Sequence, residues 1–208
     1  MVKVKICGIT NIEDANAAAE LGVDMLGFIF APSPRRVEPE KARDIIRTIP
    51  PFVKTVGVFV DEDPAVIKQV ISFCGLDMVQ LHGDESPDIC QDLMPRSIKS
   101  FRLKDESSLQ PISSYQGKVR AFLFDTYLEE VKGGTGKTFD WNLAVKGKKP
   151  GVPIILSGGL KPSNIKEAIS IVKPEAIDVN SGVEKHPGKK DPIAIKELME
   201  NMRETDSE

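Results

Sequence analysis

Polar residues recur at alternate positions in four short apolar segments of the chain. These residues are Lys5 and Cys7, Gln80 and His82, Asp125, and the pair Asp178 and Asn180. Side chains of a strand point alternately to opposite faces, so the polar residues of each segment share one side. A lysine or carboxylate on the interior face of a sheet is costly unless it is paired. Four strands of this kind together predict a shared site.

Strand-like and helix-like segments alternate along the chain. The segments that predict strands are 2–7, 24–30, 54–60, 77–82, 97–103, 120–125, 152–157 and 175–180. The patterns that predict helices lie at 12–21, 38–48, 64–73, 86–93, 139–146, 162–171 and 191–203. Typical helix starts are Thr10 or Asn11, Asp63–Pro64 and Pro162–Ser163. The serine-containing segment 105–116 does not favour a regular helix.

Eight βα units without a long linker predict a parallel sheet. Eight units close a (β/α)8 TIM barrel, and 208 residues is near the lower end for that fold. An open doubly wound sheet is the alternative. We favour the barrel, because the polar residues of the first, fourth, sixth and eighth strands would meet on its axis. The expected α/β protein is one domain, 1–208, with a frayed tail from Arg203.

The composition is that of a soluble globular protein, with 40% hydrophobic and 28% charged residues. The net charge of -3 provides no general attraction to nucleic acid or to an anionic membrane surface. No apolar run approaches the roughly 20 residues of a membrane span, and we expect no signal peptide. Cys7, Cys74 and Cys90 lack metal-ligand spacing, which indicates a reduced, cytoplasmic protein. Cys74 and Cys90 are expected in the core.

Glycine-rich turns follow the last two predicted strands. They are Ser157–Gly158–Gly159 and Asn180–Ser181–Gly182. Glycines let backbone N–H groups approach an anion, and a helix start adds partial positive charge. The turns after the seventh and eighth strands of a barrel are a recurring phosphate site. Either turn alone could be only a tight bend, but the two together predict a site for a phosphorylated small molecule.

A third glycine-rich segment, Gly133–Thr138, matches a Walker A loop only in part. That motif requires a glycine five residues before Gly136, where this chain has Val131. It also requires a strand immediately before it, whereas 127–132 is polar. We therefore expect Gly134 and Gly136 to belong to a mobile loop over the ligand.

Cys7 and Asp125 are the candidates for acid–base chemistry. A thiolate accepts protons well near neutral pH if the pKa of the cysteine is lowered, and Lys5, one inward step away, could supply positive charge. Lys5 itself needs a partner, and Asp178 would be its neighbour in a closed barrel. That structural role competes with a catalytic role for Asp178. His82 can hydrogen-bond a turn or touch the substrate, and the sequence leaves both open.

Two arginines, Arg35 and Arg36, follow the second predicted strand in a proline-containing loop. An arginine can bind a carboxylate through two parallel hydrogen bonds. One of the two arginines could simply be a solvated charge in the loop, but this explanation is less convincing for both. We therefore expect one of them to bind an anionic group.

Longer motifs occur in a fixed order over nearly the whole chain. They are Lys5–Thr10, Gly27–Phe30, Ser33–Arg36, Val56–Val60, Val79–Gly83, Gly133–Trp141, Leu156–Leu160, Asp178–Glu184 and Pro187–Asp191. In this order and spacing they resemble the phosphoribosylanthranilate isomerase family of tryptophan biosynthesis. Each motif alone is a weak signal, but the combination is highly specific.

The resemblance implies a cofactor-free and metal-free isomerase. Its reaction is the Amadori rearrangement of N-(5-phosphoribosyl)anthranilate to 1-(2-carboxyphenylamino)-1-deoxyribulose 5-phosphate. By the same resemblance, Cys7 is the general base, Asp125 the general acid and Arg36 the ligand of the anthranilate carboxylate. The implied phosphate-binding residues are Gly134, Gly136, Gly158, Gly159, Ser181 and Gly182. The implied supporting residues are Lys5, His82 and Asp178. Asn180 is a departure, since the family more often has serine there.

Two other functional classes stay open at this point. A metal-dependent sugar-phosphate epimerase barrel needs several histidine and acidic ligands, and this chain has only His82 and His186. A non-catalytic phosphate-ligand-binding barrel is the second, and Cys7 and Asp125 would be dispensable in it. In every case the expected partner is a phosphorylated small molecule, with no nucleic acid and no membrane. A monomer or a homodimer is expected.

Overall fold

Eight parallel strands, β1 to β8, close into a barrel in sequence order, with β8 hydrogen-bonded to β1. The structure, a computed structural model, describes residues 2–126 and 141–205. The strands are β1 (Lys3–Ile6), β2 (Met25–Ile29), β3 (Lys54–Phe59), β4 (Met78–Leu81), β5 (Ser97–Leu103), β6 (Ala121–Thr126), β7 (Ile154–Ser157) and β8 (Ala176–Val179). The predicted barrel is confirmed, and the open sheet is wrong because the β8–β1 pairing closes the sheet.

Helices connect the strands around the outside of the barrel. They are α1 (Ile12–Glu20), α2 (Pro39–Ile46), α3 (Pro64–Cys74), α4 (Pro87–Asp92), α5 (Trp141–Gly147), α6 (Ile165–Val172) and α7 (Pro192–Thr205). A 3₁₀ helix, Glu106–Tyr115, follows β5, where the sequence did not favour a regular helix. Asn11 and Asp63 cap α1 and α3 as predicted, since their side-chain oxygens accept hydrogen bonds from the N–H groups of Asp14 and Ala65.

Two helical segments of the C-terminal part differ from the sequence-based prediction. Helix α6 begins later than predicted, at Ile165, because a turn precedes it. Asn164 Oδ1 accepts a hydrogen bond from the Lys161 N–H (2.9 Å) and stabilises that turn. The tail that was expected to fray from Arg203 instead continues α7, and residues 206–208 lie outside the described residues.

The barrel interior is apolar near the amino ends of the strands and polar near their carboxyl ends. The apolar layer consists of Val56, Ile98, Ala121, Leu123, Ile155 and Ala176. A larger core packs the outer faces of the strands against the helices, and it contains Cys74 and Cys90 as predicted. Along the part of the chain that the structure describes, no helix is both long and apolar enough to cross a membrane. The fold therefore directs the polar strand positions towards one end of the barrel.

Candidate active site

A cavity of about 360 Å³ opens at the carboxyl ends of the strands. Its lining includes Cys7, His82, Asp125, Gly158, Asp178 and Ser181. These residues come from five different strands or the turns that follow them. The carboxyl end is where (β/α)8 barrels carry their active sites, so the cavity is the candidate active site.

One wall of the cavity is built around a buried lysine. Lys5 Nζ donates hydrogen bonds to Asp178 Oδ1 and to Gln80 Oε1, each at 2.9 Å. Lys5 and Asp178 are register partners on β1 and β8, so closing the barrel brings them together. The predicted ion pair is confirmed. It compensates for burying a charge that would otherwise be strongly destabilising.

The Cys7 thiol lies beside this ion pair and is itself buried. Burial raises the pKa of Cys7 above its ordinary value, and the charge of Lys5 opposes this only in part. Burial works against the charge of Lys5 too, but Asp178 and Cys7 more than offset it, so the pKa of Lys5 is raised. Lys5 therefore supplies the positive charge that was expected, but desolvation outweighs it and the pKa of Cys7 is raised overall.

Gly27 on β2 makes the space that the Cys7 thiol occupies. A Cβ atom at Gly27 would lie 2.8 Å from Cys7 Sγ and 3.1 Å from Cys7 Cα. Any side chain there would force the thiol or its backbone to move. The sequence analysis missed this residue, although a glycine at an inward strand position, between Met25 and Ile29, is a signal of close approach.

Asp125 lies at the end of β6, next to His82, which follows β4. His82 Nε2 is 3.3 Å from Asp125 Oδ2, and both side chains are partly exposed. On the other side of the imidazole ring, His82 Nδ1 is 2.8 Å from Gln80 Nε2. His82 therefore contacts the candidate acid directly, a contact that the sequence analysis did not anticipate.

The glycine turn after β7 has the backbone conformation that glycine favours. Gly158 and Gly159 have φ values of +89° and +62°. Both line the cavity, as does Ser181 from the turn after β8. Three of the predicted phosphate-binding residues therefore lie around one space.

The other predicted phosphate-binding residues have different positions. Gly182 is outside the cavity lining that the described residues form. A Cβ atom at Gly182 would lie 1.9 Å from the carbonyl oxygen of Leu160, so glycine is required for the β7 and β8 turns to touch. Gly134 and Gly136 lie outside the described residues.

The two arginines after β2 have separate roles. Arg35 holds the carboxylate of Glu184 through Nε (2.9 Å to Oε1) and Nη2 (2.7 Å to Oε2), a structural pairing. Arg36 is half exposed, and its Nη2 is 3.2 Å from Glu38 Oε1. Exposed pairs of this kind are weak, so Arg36 can exchange Glu38 for another carboxylate.

The matches to known proteins agree with this geometry. A family model described as N-(5'phosphoribosyl)anthranilate (PRA) isomerase matches residues 4–201. The chain belongs to the phosphoribosylanthranilate isomerase family. An N-(5'-phosphoribosyl)anthranilate isomerase of Pelobacter propionicus is 52% identical over 209 residues, which cover 100% of this chain and 99% of that protein. The resemblance that the motifs indicated is confirmed.

Solved structures of the phosphoribosylanthranilate isomerase family share the fold. The enzyme of Thermotoga maritima superposes with a TM-score of 0.90 at 45% identity, covering 98% of this chain and 100% of that one. Another is a complex with reduced 1-(o-carboxyphenylamino)-1-deoxyribulose 5-phosphate. It has a TM-score of 0.86 at 41% identity, with 98% and 100% of the two chains covered.

In this member of the phosphoribosylanthranilate isomerase family, a buried lysine braces the turn after β8. A hairpin of β9 (Glu184–His186) and β10 (Lys189–Lys190) follows the turn, and the sequence analysis missed it. Lys190 Nζ donates hydrogen bonds to Asn180 Oδ1 (3.0 Å) and to Glu184 Oε1 (2.9 Å). The asparagine at position 180, where a serine was expected from the resemblance, therefore accepts a hydrogen bond from Lys190.

A second cavity, of about 400 Å³, adjoins the first and shares His82 with it. Arg102 lines it from the end of β5, in register with Asp125 of β6. Within the described part of the chain, Arg102 makes no ion pair. The buried Ser100 Oγ also lines this cavity, and it has no hydrogen-bond partner among the described residues. The sequence analysis missed both residues, although Ser100 and Arg102 repeat the alternating polar pattern.

The described residues contain no cluster suited to a metal ion. In residues 2–126 and 141–205, no group of three or more His, Cys, Asp or Glu side chains could hold one. That the reaction of this chain needs no metal and no cofactor stays a prediction.

Proposed function

We propose that this chain catalyses the Amadori rearrangement of N-(5-phosphoribosyl)anthranilate to 1-(2-carboxyphenylamino)-1-deoxyribulose 5-phosphate, a step of tryptophan biosynthesis. The main support is that Cys7 and Asp125 of this chain, which belongs to the family, line the same cavity. A general acid and a general base are the two groups that this rearrangement requires.

The first step is the opening of the ribose ring, in which Asp125 acts as the general acid. Asp125 donates its proton to the ring oxygen while the bond between that oxygen and C1 breaks. The nitrogen lone pair forms a double bond to C1, which gives a protonated Schiff base. The partial exposure of Asp125 supports this role, because the carboxyl group can regain a proton from solvent.

The second step is removal of the C2 proton, in which Cys7 acts as the general base. The electron pair of the C–H bond forms the C1–C2 double bond, and the C1–N double bond becomes the single bond of a neutral enolamine. Tautomerisation of the enolamine then gives the ketone. Only the thiolate form of Cys7 can accept the proton, and the neighbouring Lys5 ammonium favours that form.

The phosphate group is held by the turns after β7 and β8. Gly158, Gly159 and Ser181 line the cavity, and backbone N–H groups of such turns bind anions without a lysine. We expect Gly158→Val to weaken binding of a phosphate-bearing product analogue more than Lys137→Ala does, at fixed ionic strength. If the lysine variant is the more damaging and Gly158→Val is nearly silent, the phosphate lies under the 133–138 segment instead.

The supporting and carboxylate-binding residues complete the proposal. Arg36 binds the anthranilate carboxylate, in exchange for its exposed contact with Glu38. Lys5 and Asp178 support the thiol, and His82 supports Asp125. The protein functions in the cytoplasm as a monomer or a homodimer, which analytical ultracentrifugation distinguishes.

The test is a fluorescence assay of phosphoribosylanthranilate turnover by the purified chain, with and without a metal chelator. We expect turnover that the chelator does not change and that Cys7→Ser abolishes or strongly reduces. Ligand binding without turnover would favour the non-catalytic barrel, and loss of activity with the chelator would favour a metal-dependent enzyme.

A further inference from the structure

A continuous run of polar contacts crosses the cavity from the buried lysine to the candidate acid. Lys5 Nζ lies 2.9 Å from Gln80 Oε1, and Gln80 Nε2 lies 2.8 Å from His82 Nδ1. His82 Nε2 then lies 3.3 Å from Asp125 Oδ2. Gln80 is the second of the four members, and its side chain is buried.

The orientation of the Gln80 amide follows from the chemistry of Lys5. A lysine ammonium group has only donors, so the Gln80 atom that faces it must be the carbonyl oxygen. The amide NH₂ group then faces the imidazole ring. Reversing the amide would place two donors against each other in a buried position, which costs more than a lost hydrogen bond.

The orientation of Gln80 in turn fixes the proton on His82. Because Gln80 Nε2 donates to it, His82 Nδ1 must be the acceptor, and a neutral imidazole then carries its proton on Nε2. That nitrogen lies 3.3 Å from Asp125 Oδ2. The neutral imidazole therefore presents a donor towards the carboxyl group of Asp125.

We propose that Gln80 is a positioning residue that fixes the tautomer of His82, so that His82 donates a hydrogen bond to Asp125 when Asp125 becomes a carboxylate. The proposal rests on the proposed function, in which Asp125 loses its proton during ring opening. A donor that is already oriented stabilises the developing negative charge without reorganisation. Gln80 lines the main cavity, and the role assigned to it here is exerted through His82.

The surroundings of His82 contain other charges. Asp61, Asp84 and Arg102 line the adjoining cavity with it, and Cys7 and Asp178 line the main one. Among the described residues, none of these makes a hydrogen bond or an ion pair with the imidazole ring, whereas Asp125 Oδ2 lies 3.3 Å from Nε2. The two ring nitrogens are thus assigned to Gln80 and Asp125.

The alternative is that Gln80 only satisfies the buried Lys5. Gln80→Glu separates the two roles, because a glutamate keeps an acceptor for Lys5 and nearly the same shape. It presents an acceptor, instead of a donor, to His82 Nδ1. We expect the single proton of the His82 ring to move to Nδ1 and leave Nε2 bare, so that Asp125 loses its donor and kcat falls at least about 10-fold with KM changed little. Unchanged kcat in this variant would overturn the proposal.

A double-mutant cycle checks that the effect passes through His82. In His82→Gln the side-chain amide can donate to Asp125 without help from Gln80. We therefore expect Gln80→Glu to reduce kcat much less in the His82→Gln background than in the parent. Equal reductions in the two backgrounds would overturn the proposal, since they would show that Gln80 acts by another route.

The deciding measurement is nitrogen-15 NMR of the imidazole rings in the unmutated protein. The chain has only two histidines, His82 and His186, so His186→Gln leaves one ring to observe. We expect a neutral His82 with a bare Nδ1 and a protonated Nε2, and protonation of Nδ1 in Gln80→Glu. A proton on Nδ1 in the parent overturns the proposal, even if the glutamate variant does not fold. The result does not depend on turnover, so failure of the proposed function is detected separately in the assay.

Discussion

The two sides of the cavity differ in how far they are removed from water. On the base side, the side chains of Lys5 and Asp178 are 0% and 5% exposed. On the acid side, those of His82 and Asp125 are 19% and 30% exposed. Each side has a carboxylate beside a lysine or histidine side chain, but only the base side is dry.

In the proposed mechanism, this difference gives the two acid–base groups of one cavity opposite tasks. On the dry side, desolvation favours neutral species, so burial raises the pKa of Cys7 and the ion pair of Lys5 has to be complete. On the acid side, the side chain of Asp125 is in contact with solvent, as the proposed role of a general acid requires. The cost of burying charge therefore falls mainly on the base side.

The largest effect is expected from the same substitution made on each side. Asp178→Asn leaves the Lys5 ammonium buried without its counter-charge, and it should lower the free energy of unfolding by about 3–5 kcal/mol. Asp125→Asn removes a partly exposed carboxylate and should change it by less than about 1 kcal/mol. Urea denaturation of both variants measures the difference. Equal losses would mean that the two sides do not differ in the way that exposure indicates.

Turnover is expected to respond on both sides. Cys7→Ala and Asp125→Asn should each fold and should each lower kcat at least about 100-fold, the usual scale of general acid–base catalysis. Asp178→Asn can be assayed in parallel at a temperature where it is folded. Near-normal turnover in the Cys7 or the Asp125 variant would remove that residue from the mechanism.

Much of the fold could be predicted because strands and helices have different periods. Each of the eight barrel strands overlaps its predicted segment, and the ion pair of Lys5 and Asp178 followed from closing the barrel. The 184–186 and 189–190 hairpin could not be predicted in this way, because strands of two or three residues do not show an alternating pattern.

The fine geometry of the site could not be predicted, because it depends on distances between strands. Gly27 matters only once the Cys7 thiol is known to lie against it, and Gly182 only once Leu160 O is known to approach it. The direction of the Cys7 pKa shift depends on whether burial or the Lys5 charge is stronger. The sequence identifies both influences without weighing them.

A smaller effect is expected at two exposed arginines, Arg36 in the loop after β2 and Arg102 at the end of β5. Arg36→Lys keeps the charge but loses the two-pronged hydrogen bonding, so we expect KM to rise about 10-fold with phosphate inhibition unchanged. Arg102→Lys is the matched control, because Arg102 is also unburied and near Asp125. If Arg102→Lys raises KM and Arg36→Lys does not, the carboxylate binds on the β5 side of the cavity. If phosphate inhibition weakens in parallel with substrate binding, Arg36 contacts the phosphate.

The smallest effect is the pH dependence of the Cys7 thiol. An ordinary thiol has a pKa of about 8.5. Because burial raises the pKa of Cys7, the rate of its alkylation by iodoacetamide should still increase with pH above that value. Burial raises the pKa of Cys90 to about 11, and Cys7→Ala provides the background rate of the other cysteines. Between the unfolded and the folded pKa of Cys7, the thiol is protonated in the folded state and deprotonated in the unfolded state. The stability from this difference is therefore complete below the unfolded pKa and disappears as pH rises through the folded pKa. A labelling rate that levels off below pH 8 would mean that the Lys5 charge outweighs burial, and that the base side is less dry than its exposure indicates.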